Sequence, residues 1–252
     1  MATSKIALIT GGSRGLGRDM ALSLAQNGKD VIFTYHSNRT AADEVVAEIE
    51  QRGQKGYALQ LDTRDIKSFS SFFGSVTEKL KAERGSEKID FLINNAGTGL
   101  YAPFSETTEE QLDEMFAIHY KGVFFFTQKA LPCLNNGGRI INISSGLARF
   151  SFPGSSAYAS MKGAVEVLTR YIAKELGERK ITANIVAPGA IATDFGGGSN
   201  KEEDKQKIIS GATALGRVGE AEDIGGVVAF LCSEDAGWIN GQRIEVSGGM
   251  ML

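Results

Sequence analysis

Short runs of β-branched and other apolar residues recur along the chain, each followed by a stretch whose apolar positions fall three and four apart. The first run is Lys5–Ile9, after which glycines lead into an alanine- and leucine-bearing helix over Leu16–Asn27. Asp30–Tyr35 reads as a second strand, and Thr40–Arg52, with Val45, Val46 and Ile49 at helical spacing, as a second helix. Tyr57–Leu61 and Ile89–Ile93 follow as strands, separated by a long helix near Ile66–Arg84. Thr107-Thr108-Glu109-Glu110 has the form of a capping box, which predicts a helix from there to about Leu131. Arg139–Ile143, a long helix over Tyr158–Leu176, Ile181–Val186 and a last strand within Arg243–Val246 complete the series. Strands that alternate with helices, and that are apolar along nearly their whole length, predict a parallel sheet covered on both faces. The expected class is α/β, doubly wound. No repeat, linker or low-complexity tract interrupts it, so residues 1–252 are expected to form a single domain.

One compositional break stands out, Gly196-Gly197-Gly198-Ser199-Asn200, followed by a charged stretch from Lys201 to Lys207. It reads either as a surface loop or as the hinge of a lid, since it follows the sixth strand at the carboxyl edge of the sheet.

Composition narrows the chemistry. A net charge of −3 supplies no basic field for nucleic acid or an anionic membrane, so neither is expected as a partner. Two cysteines (Cys133 and Cys232) and two histidines (His36 and His119) are too few and too scattered for a disulfide framework or a zinc site, and no metal is expected. The start of the chain has no leader pattern, and the longest apolar runs, such as Val123–Phe126, are far too short to span a bilayer. A cytoplasmic protein is expected.

Thr10-Gly11-Gly12-Ser13-Arg14-Gly15-Leu16-Gly17 joins the first strand to the first helix. Glycines there let the backbone turn tightly and approach a pyrophosphate, while the helix N-terminus supplies N–H groups and partial positive charge. The spacing is GxxxGxG rather than the usual GxGxxG. It resembles the glycine motif of the short-chain dehydrogenase/reductase family, and further matches follow in that family's order along nearly the whole chain. Asn94-Asn95-Ala96-Gly97 is similar to its NNAG segment, Tyr158-Ala-Ser-Met-Lys162 to its YxxxK pair with Ser145 thirteen residues before the tyrosine, and Pro188-Gly189-Ala-Ile191-Ala-Thr193 to its PGxxxT segment. The glycine loop and tail also resemble 3-oxoacyl-acyl-carrier-protein reductases. The resemblance implies a Rossmann-like fold and a nicotinamide dinucleotide cofactor. It would be held by Gly11, Ser13, Arg14, Gly15, Leu16 and Gly17 at the phosphates, and by Asp62 and Thr63 at the adenine. Asn95, Ala96 and Gly97 would border it, and Pro188, Gly189, Ile191 and Thr193 would lie against the nicotinamide.

Tyr158 and Lys162, four apart on one helix face, suit proton transfer, because a nearby ammonium lowers a phenol's pKa from about 10. Tyr158 is then the expected general acid, and Ser145 the hydrogen-bond donor to the same carbonyl oxygen. Ser144 competes with Ser145, but adjacent residues at a strand end point oppositely and the family spacing selects Ser145. The resemblance also has Lys162 bind the nicotinamide ribose.

No carboxylate follows the second strand until Asp43; the segment is Thr34-Tyr35-His36-Ser37-Asn38-Arg39. With Arg14 in the position that meets a 2′-phosphate in relatives, and Ser37, Asn38 and Arg39 to assist, NADPH is expected over NADH. Phe150, Phe152, Phe195, Leu100 and Tyr101 fall in segments that border the substrate pocket in relatives, which implies a partly apolar carbonyl substrate; Arg149 reads either as the partner of an anionic substrate or as an exposed surface charge. The tail, Trp238 to Gln242 and Gly248 to Leu252, resembles that of tetrameric relatives and implies a homotetramer. One residue departs from the pattern. His119 stands where relatives carry a catalytic-site asparagine, either supporting a bend in its helix or carrying protons. That departure keeps open a second reading, a cofactor-binding regulator or structural partner with little turnover.

Overall fold

The computed structural model describes residues 4–252; Met1 to Thr3, on which the reading of the N-terminus partly rests, lie outside the described residues. Seven strands form one sheet in the order β3-β2-β1-β4-β5-β6-β7, every neighbouring pair parallel. They are β1 (Ile6–Ile9), β2 (Asp30–Tyr35), β3 (Gly56–Gln60), β4 (Ile89–Asn94), β5 (Leu134–Ile143), β6 (Thr182–Pro188) and β7 (Arg243–Val246). The helices are α1 (Gly15–Gln26), α2 (Arg39–Gln51), α3 (Phe69–Arg84), α4 (Glu109–Phe116), α5 (Val123–Ala130), α6 (Ser156–Glu175), α7 (Glu203–Gly211) and α8 (Glu222–Leu231). This is the doubly wound, Rossmann-like topology.

The continuous apolar strands are explained by two cores. In β1, Ala7 and Ile9 pack with α1, α2 and α8 on one face, whereas Ile6 and Leu8 pack with α3, α5 and part of α6 on the other. All four side chains are fully buried, so alternation along the strand leaves no solvent face to mark with polar residues. The strand order reverses beside β1, and the crevice between β1 and β4 at their carboxyl ends is where such sheets bind ligands.

Four elements differ from expectation. The predicted helix ending near Leu131 starts at Glu109, and its capping box pairs Thr108 with Gln111 rather than Thr107 with Glu110. The Thr107 hydroxyl is taken by the Pro103 carbonyl, 3.0 Å away. This helix also changes winding midway, with a π-helical segment over Ala117–Gly122 between α4 and α5. Strand β5 begins five residues early, because Leu134 pairs with Ile89 before a register shift through Gly137, whose φ is +74°. Helices α7 and α8 were not anticipated. In α8 the adjacent Gly225 and Gly226 mask the helical pattern, yet a Cβ at Gly225 would lie 2.0 Å from the Asp19 carboxylate, so close packing of α1 on α8 requires a glycine there. Among the described residues no helix is long and apolar enough to cross a membrane.

Candidate active site

The glycine loop is held from below by the side chains of Thr34, of Thr10 at its own start, and of Asn95, which was expected to border the cofactor. Thr34 Oγ1 accepts from the Gly11 N–H at 3.0 Å, and Thr10 Oγ1 accepts from the Asn95 and Ala96 N–H groups, each at 3.0 Å. Asn95 Nδ2 donates to the Thr10 and Gly11 carbonyls, both at 2.9 Å, so this asparagine fastens the loop to the end of β4. Beneath it Asn94 donates to Thr127 and Asn142, and Asn142 donates to Thr169, a buried polar ladder linking β4 and β5 to α5 and α6. Asn94 and Asn95 stand in the NNAG segment, but Thr34, Thr127, Asn142 and Thr169 carry no motif, and only the fold brings them to it.

The loop fits a dinucleotide phosphate. Helix α1 has twelve residues, and its first turn has neither an acidic residue nor a side-chain cap, which leaves the N–H groups of Gly15, Leu16 and Gly17 for an anion. A Cβ on Gly17 would stand 2.0 Å from the Gly11 carbonyl oxygen, so the loop closes this tightly only with glycine. Ser13 and Arg14 lie at its rim. Thr193, beyond Pro188 and Gly189 at the end of β6, faces Gly15, whose Cβ would be 3.6 Å away, and Ile191 is held by a bridge to Gly219. The segments expected to hold the phosphates and the nicotinamide therefore meet.

At the adenosine end, Asp62 is clamped by Arg64, with contacts of 2.7 to 3.1 Å. The Arg64 hydrogen bonds outweigh burial and bring the Asp62 carboxyl down to about 2. Thr63 abuts the helix above, where a Cβ on Gly122 would sit 2.6 Å from its carbonyl oxygen. Ser37, Asn38 and Arg39 are exposed, but they are not equally available. The Asn38 side chain caps α2 through the Ala41 N–H, and Arg39 pairs with Asp43 at 2.7 Å. Arg14 takes part in no ion pair among the described residues, which leaves it the stronger candidate for a phosphate partner.

Ser145, Tyr158, Lys162 and His119 converge at the carboxyl end of β5. The Ser145 hydroxyl accepts from the Leu147 N–H at 3.2 Å. Ser144, its competitor, is buried and donates to Glu166 at 2.7 Å, so it points away from the site. Lys162 is buried one turn from Tyr158, its Nζ 5.5 Å from the phenol ring centroid and donating to the Ile143 carbonyl at 2.8 Å.

Electrostatics correct one expectation. The Tyr158 phenol is not lowered: burial holds it well above its ordinary value, with the nearby Ser145 hydroxyl acting against the rise. Burial also brings Lys162 down to about 8, so desolvation disfavours the charged form of both groups. At neutral pH both protons stay in place, the state a proton donor requires.

His119 lies in the π-helical segment, fully buried, its ring edge-on to Tyr158 at 5.0 Å. The Thr98 carbonyl can only accept, so the 2.8 Å contact assigns the imidazole proton to Nε2 and leaves Nδ1 without a partner. Burial, and then the Lys162 charge, take this imidazole down to about 3. A Cβ on Gly97 would come within 2.6 Å of the ring, so the glycine that ends NNAG is what admits the larger side chain.

Around the opening, Tyr101, Phe152 and Phe195 are 73, 50 and 43% exposed. Phe195 packs toward Tyr158 at 5.8 Å, and Gly196 to Gly198 carry it there through three successive left-handed residues. Leu100 packs with Tyr158 and Met115, and Phe150 lies under Gly146. Arg149 is not free to meet a substrate: it pairs with Glu245 at 2.7 Å and donates to the Met250 carbonyl at 2.8 Å.

The chain matches the family model described as enoyl-(acyl carrier protein) reductase over residues 11–251. It is 38% identical to the hydroxynaphthalene reductase-like protein Arp2 of Metarhizium robertsii, across 98% of this chain and 95% of that one. To the short chain dehydrogenase/reductase AacuN of Aspergillus aculeatus it is 36% identical, with 97 and 95% covered. Among solved structures, the promiscuous reductase LugOII, which catalyses keto-reduction at C1 during lugdunomycin biosynthesis, superposes with a TM-score of 0.93 at 40% identity over 99% of both chains. The angucycline C-6 ketoreductase LanV with bound NADP does so at 0.93 and 38%, with 98 and 95% covered.

Proposed function

The chain belongs to the short-chain dehydrogenase/reductase family, and from that premise we propose that it is one catalytic domain reducing a ketone or aldehyde with NADPH through Ser145, Tyr158 and Lys162. The observation that carries this reading is the meeting of Tyr158, Lys162 and Ser145 at the carboxyl end of β5, on the same edge of the parallel sheet as the uncapped N-terminus of α1. Bound NADPH supplies the hydride. The Tyr158 phenol, kept protonated by its burial, gives its proton to the substrate oxygen, and the Ser145 hydroxyl hydrogen-bonds that oxygen as charge develops. Lys162, anchored on the Ile143 carbonyl, holds positive charge beside the phenol and favours the phenolate left behind.

The aromatic rim of Tyr101, Phe152 and Phe195 supports a flat, aromatic ketone as substrate, and relatives named for hydroxynaphthalene and angucycline substrates support the same class. The Gly196–Gly198 turn is read as the hinge of a lid that lifts Phe195 from Tyr158. A homotetramer is supported by apolar surface left in water, on α5 and α6 at Phe124, Val167 and Tyr171 and on the tail at Trp238 and Leu252. His119 favours enzyme over binding protein, because an imidazole that stays neutral and bonds Thr98 supports the π-helical bend without disturbing Tyr158. The test is turnover of NADPH against a panel of aromatic ketones. Tyr158→Phe is expected to lower turnover by about 10²-fold while leaving NADPH binding intact; NADPH binding with no turnover of any ketone would favour the binding-protein reading.

A further inference from the structure

Behind Ser145 lies a set of charges for which the reaction just described has no use. The Arg243 guanidinium, on β7, is engaged on three sides. Its Nε donates to Glu166 Oε1 at 2.8 Å, its Nη1 to Glu245 Oε2 at 2.9 Å, and its Nη2 to the Ser145 carbonyl oxygen at 3.2 Å. Glu166, on α6, also accepts from the Ser144 hydroxyl at 2.7 Å. Two arginines and two glutamates, counting the Arg149–Glu245 pair, leave the cluster without net charge. The Arg243 and Glu166 side chains are only 23 and 14% exposed, so water screens their pairing far less than it would on the open surface.

The geometry of a guanidinium makes this arrangement restrictive. Its N–H groups lie in one rigid plane, so acceptors bonded to it are fixed relative to one another. Here those acceptors belong to α6, to β7 and to the peptide that carries Ser145. The other hydrogen bonds to Ser145 come from its own turn, including the Leu147 N–H to its hydroxyl. Ser145 leaves β5 extended, at φ −159° and ψ 151°, and opens a single 3₁₀ turn closed by the Ala148 N–H on its carbonyl at 3.1 Å. Rotating this peptide swings the Ser145 hydroxyl away from Tyr158, and displacements of a fraction of an ångström are enough to weaken catalysis.

We propose that Arg243 is a positioning residue for Ser145. It touches no reacting atom, and through its Nη2 bond it holds the Ser145 peptide where the hydroxyl meets the substrate oxygen. The proposal rests on the role given to Ser145 above, so its test must separate the two. Arg243→Met and Ser145→Ala are made singly and together in the full chain and assayed with NADPH and the best ketone of the panel. Arg243→Met is expected to lower kcat by about tenfold with KM and NADPH affinity changed less than about twofold, and to cost less than about twofold in the Ser145→Ala background. Losses that multiply in the double variant would overturn the proposal and leave the role of Ser145 standing. Full activity in Ser145→Ala would instead remove the serine's role, and the proposal with it. Should Arg243→Met fail to fold, Arg243→Lys, which can still pair with Glu166 but cannot span all three acceptors, takes its place in the cycle with an expected loss of about threefold; an unchanged kcat there would overturn the proposal.

Discussion

Gly17→Ala should separate the cofactor loop from the rest of the fold. Its new methyl would lie 2.0 Å from the Gly11 carbonyl oxygen and 2.6 Å from Asn95 Nδ2, both far inside van der Waals contact. Neither obstacle is a free side-chain end. The carbonyl is backbone, and the amide is bonded to Thr10 and Gly11, so the loop must shift by about 1 Å and break at least one of two hydrogen bonds. Overpacking of this kind costs about 1–3 kcal/mol, and each lost hydrogen bond adds about 1 kcal/mol, so a fall in stability of about 2–4 kcal/mol is expected. For a chain of this size that is roughly 4–16 °C in Tm, taking about 2–4 °C per kcal/mol. The sharper consequence concerns binding. At a concentration a hundred times its Kd, NADPH should stabilise the parent protein by about 2.7 kcal/mol, and this increment should vanish in the variant because the N–H cradle has moved. Gly74→Ala is the control: nothing lies within 4 Å of a Cβ there, in the middle of α3, so it should raise stability by up to about 1 kcal/mol and leave the NADPH increment intact. Thermal melts with and without NADPH measure both. A Gly17→Ala protein that keeps the full NADPH increment would refute the placement of the phosphate on this loop.

Other outcomes follow from the same geometry. NADPH should bind at least tenfold more tightly than NADH, about 1.4 kcal/mol, and Arg14→Ala should remove most of that difference; equal affinities in the parent protein would contradict it. Ketone reduction should fall as pH rises through about 8, because Lys162, lowered by burial, carries its charge only below that point. No limb should appear near pH 6.5, since His119 stays neutral down to about 3, and His119→Asn should change turnover by less than about tenfold. Light scattering at micromolar concentration should give the mass of four chains, and a monomer mass would mean that the apolar faces of α5, α6 and the tail serve some other purpose.

Much of the fold was legible because parallel strands buried on both faces declare themselves as unbroken apolar runs, as Ile6–Ile9 does. The proposed catalytic set was legible because Tyr158 and Lys162 stand four apart on one helix face, and because the family resemblance selects Ser145 over Ser144. What the sequence hid falls into two kinds. Helix α8 was hidden by Gly225, a residue chosen by its neighbour Asp19 rather than by helix propensity. Some supports of the site were hidden by distance along the chain: Thr34 holds the glycine loop from β2, and Arg243 reaches Ser145 across 98 residues. The pKa of Tyr158 was misjudged for a physical reason too. Proximity to Lys162 was visible in the sequence, but the burial of both groups, which outweighs it, was not.

The proposed reaction moves a hydride from NADPH to a carbonyl carbon while Tyr158 supplies the proton. It is tested most directly with NADPH deuterated at the transferring position of the nicotinamide, followed by mass spectrometry of the alcohol formed from an aromatic ketone. One deuterium should appear on the carbinol carbon with the parent protein, at a rate about 10²-fold lower with Tyr158→Phe. Alcohol without deuterium, or an undiminished rate in the Tyr158→Phe protein, would contradict the account.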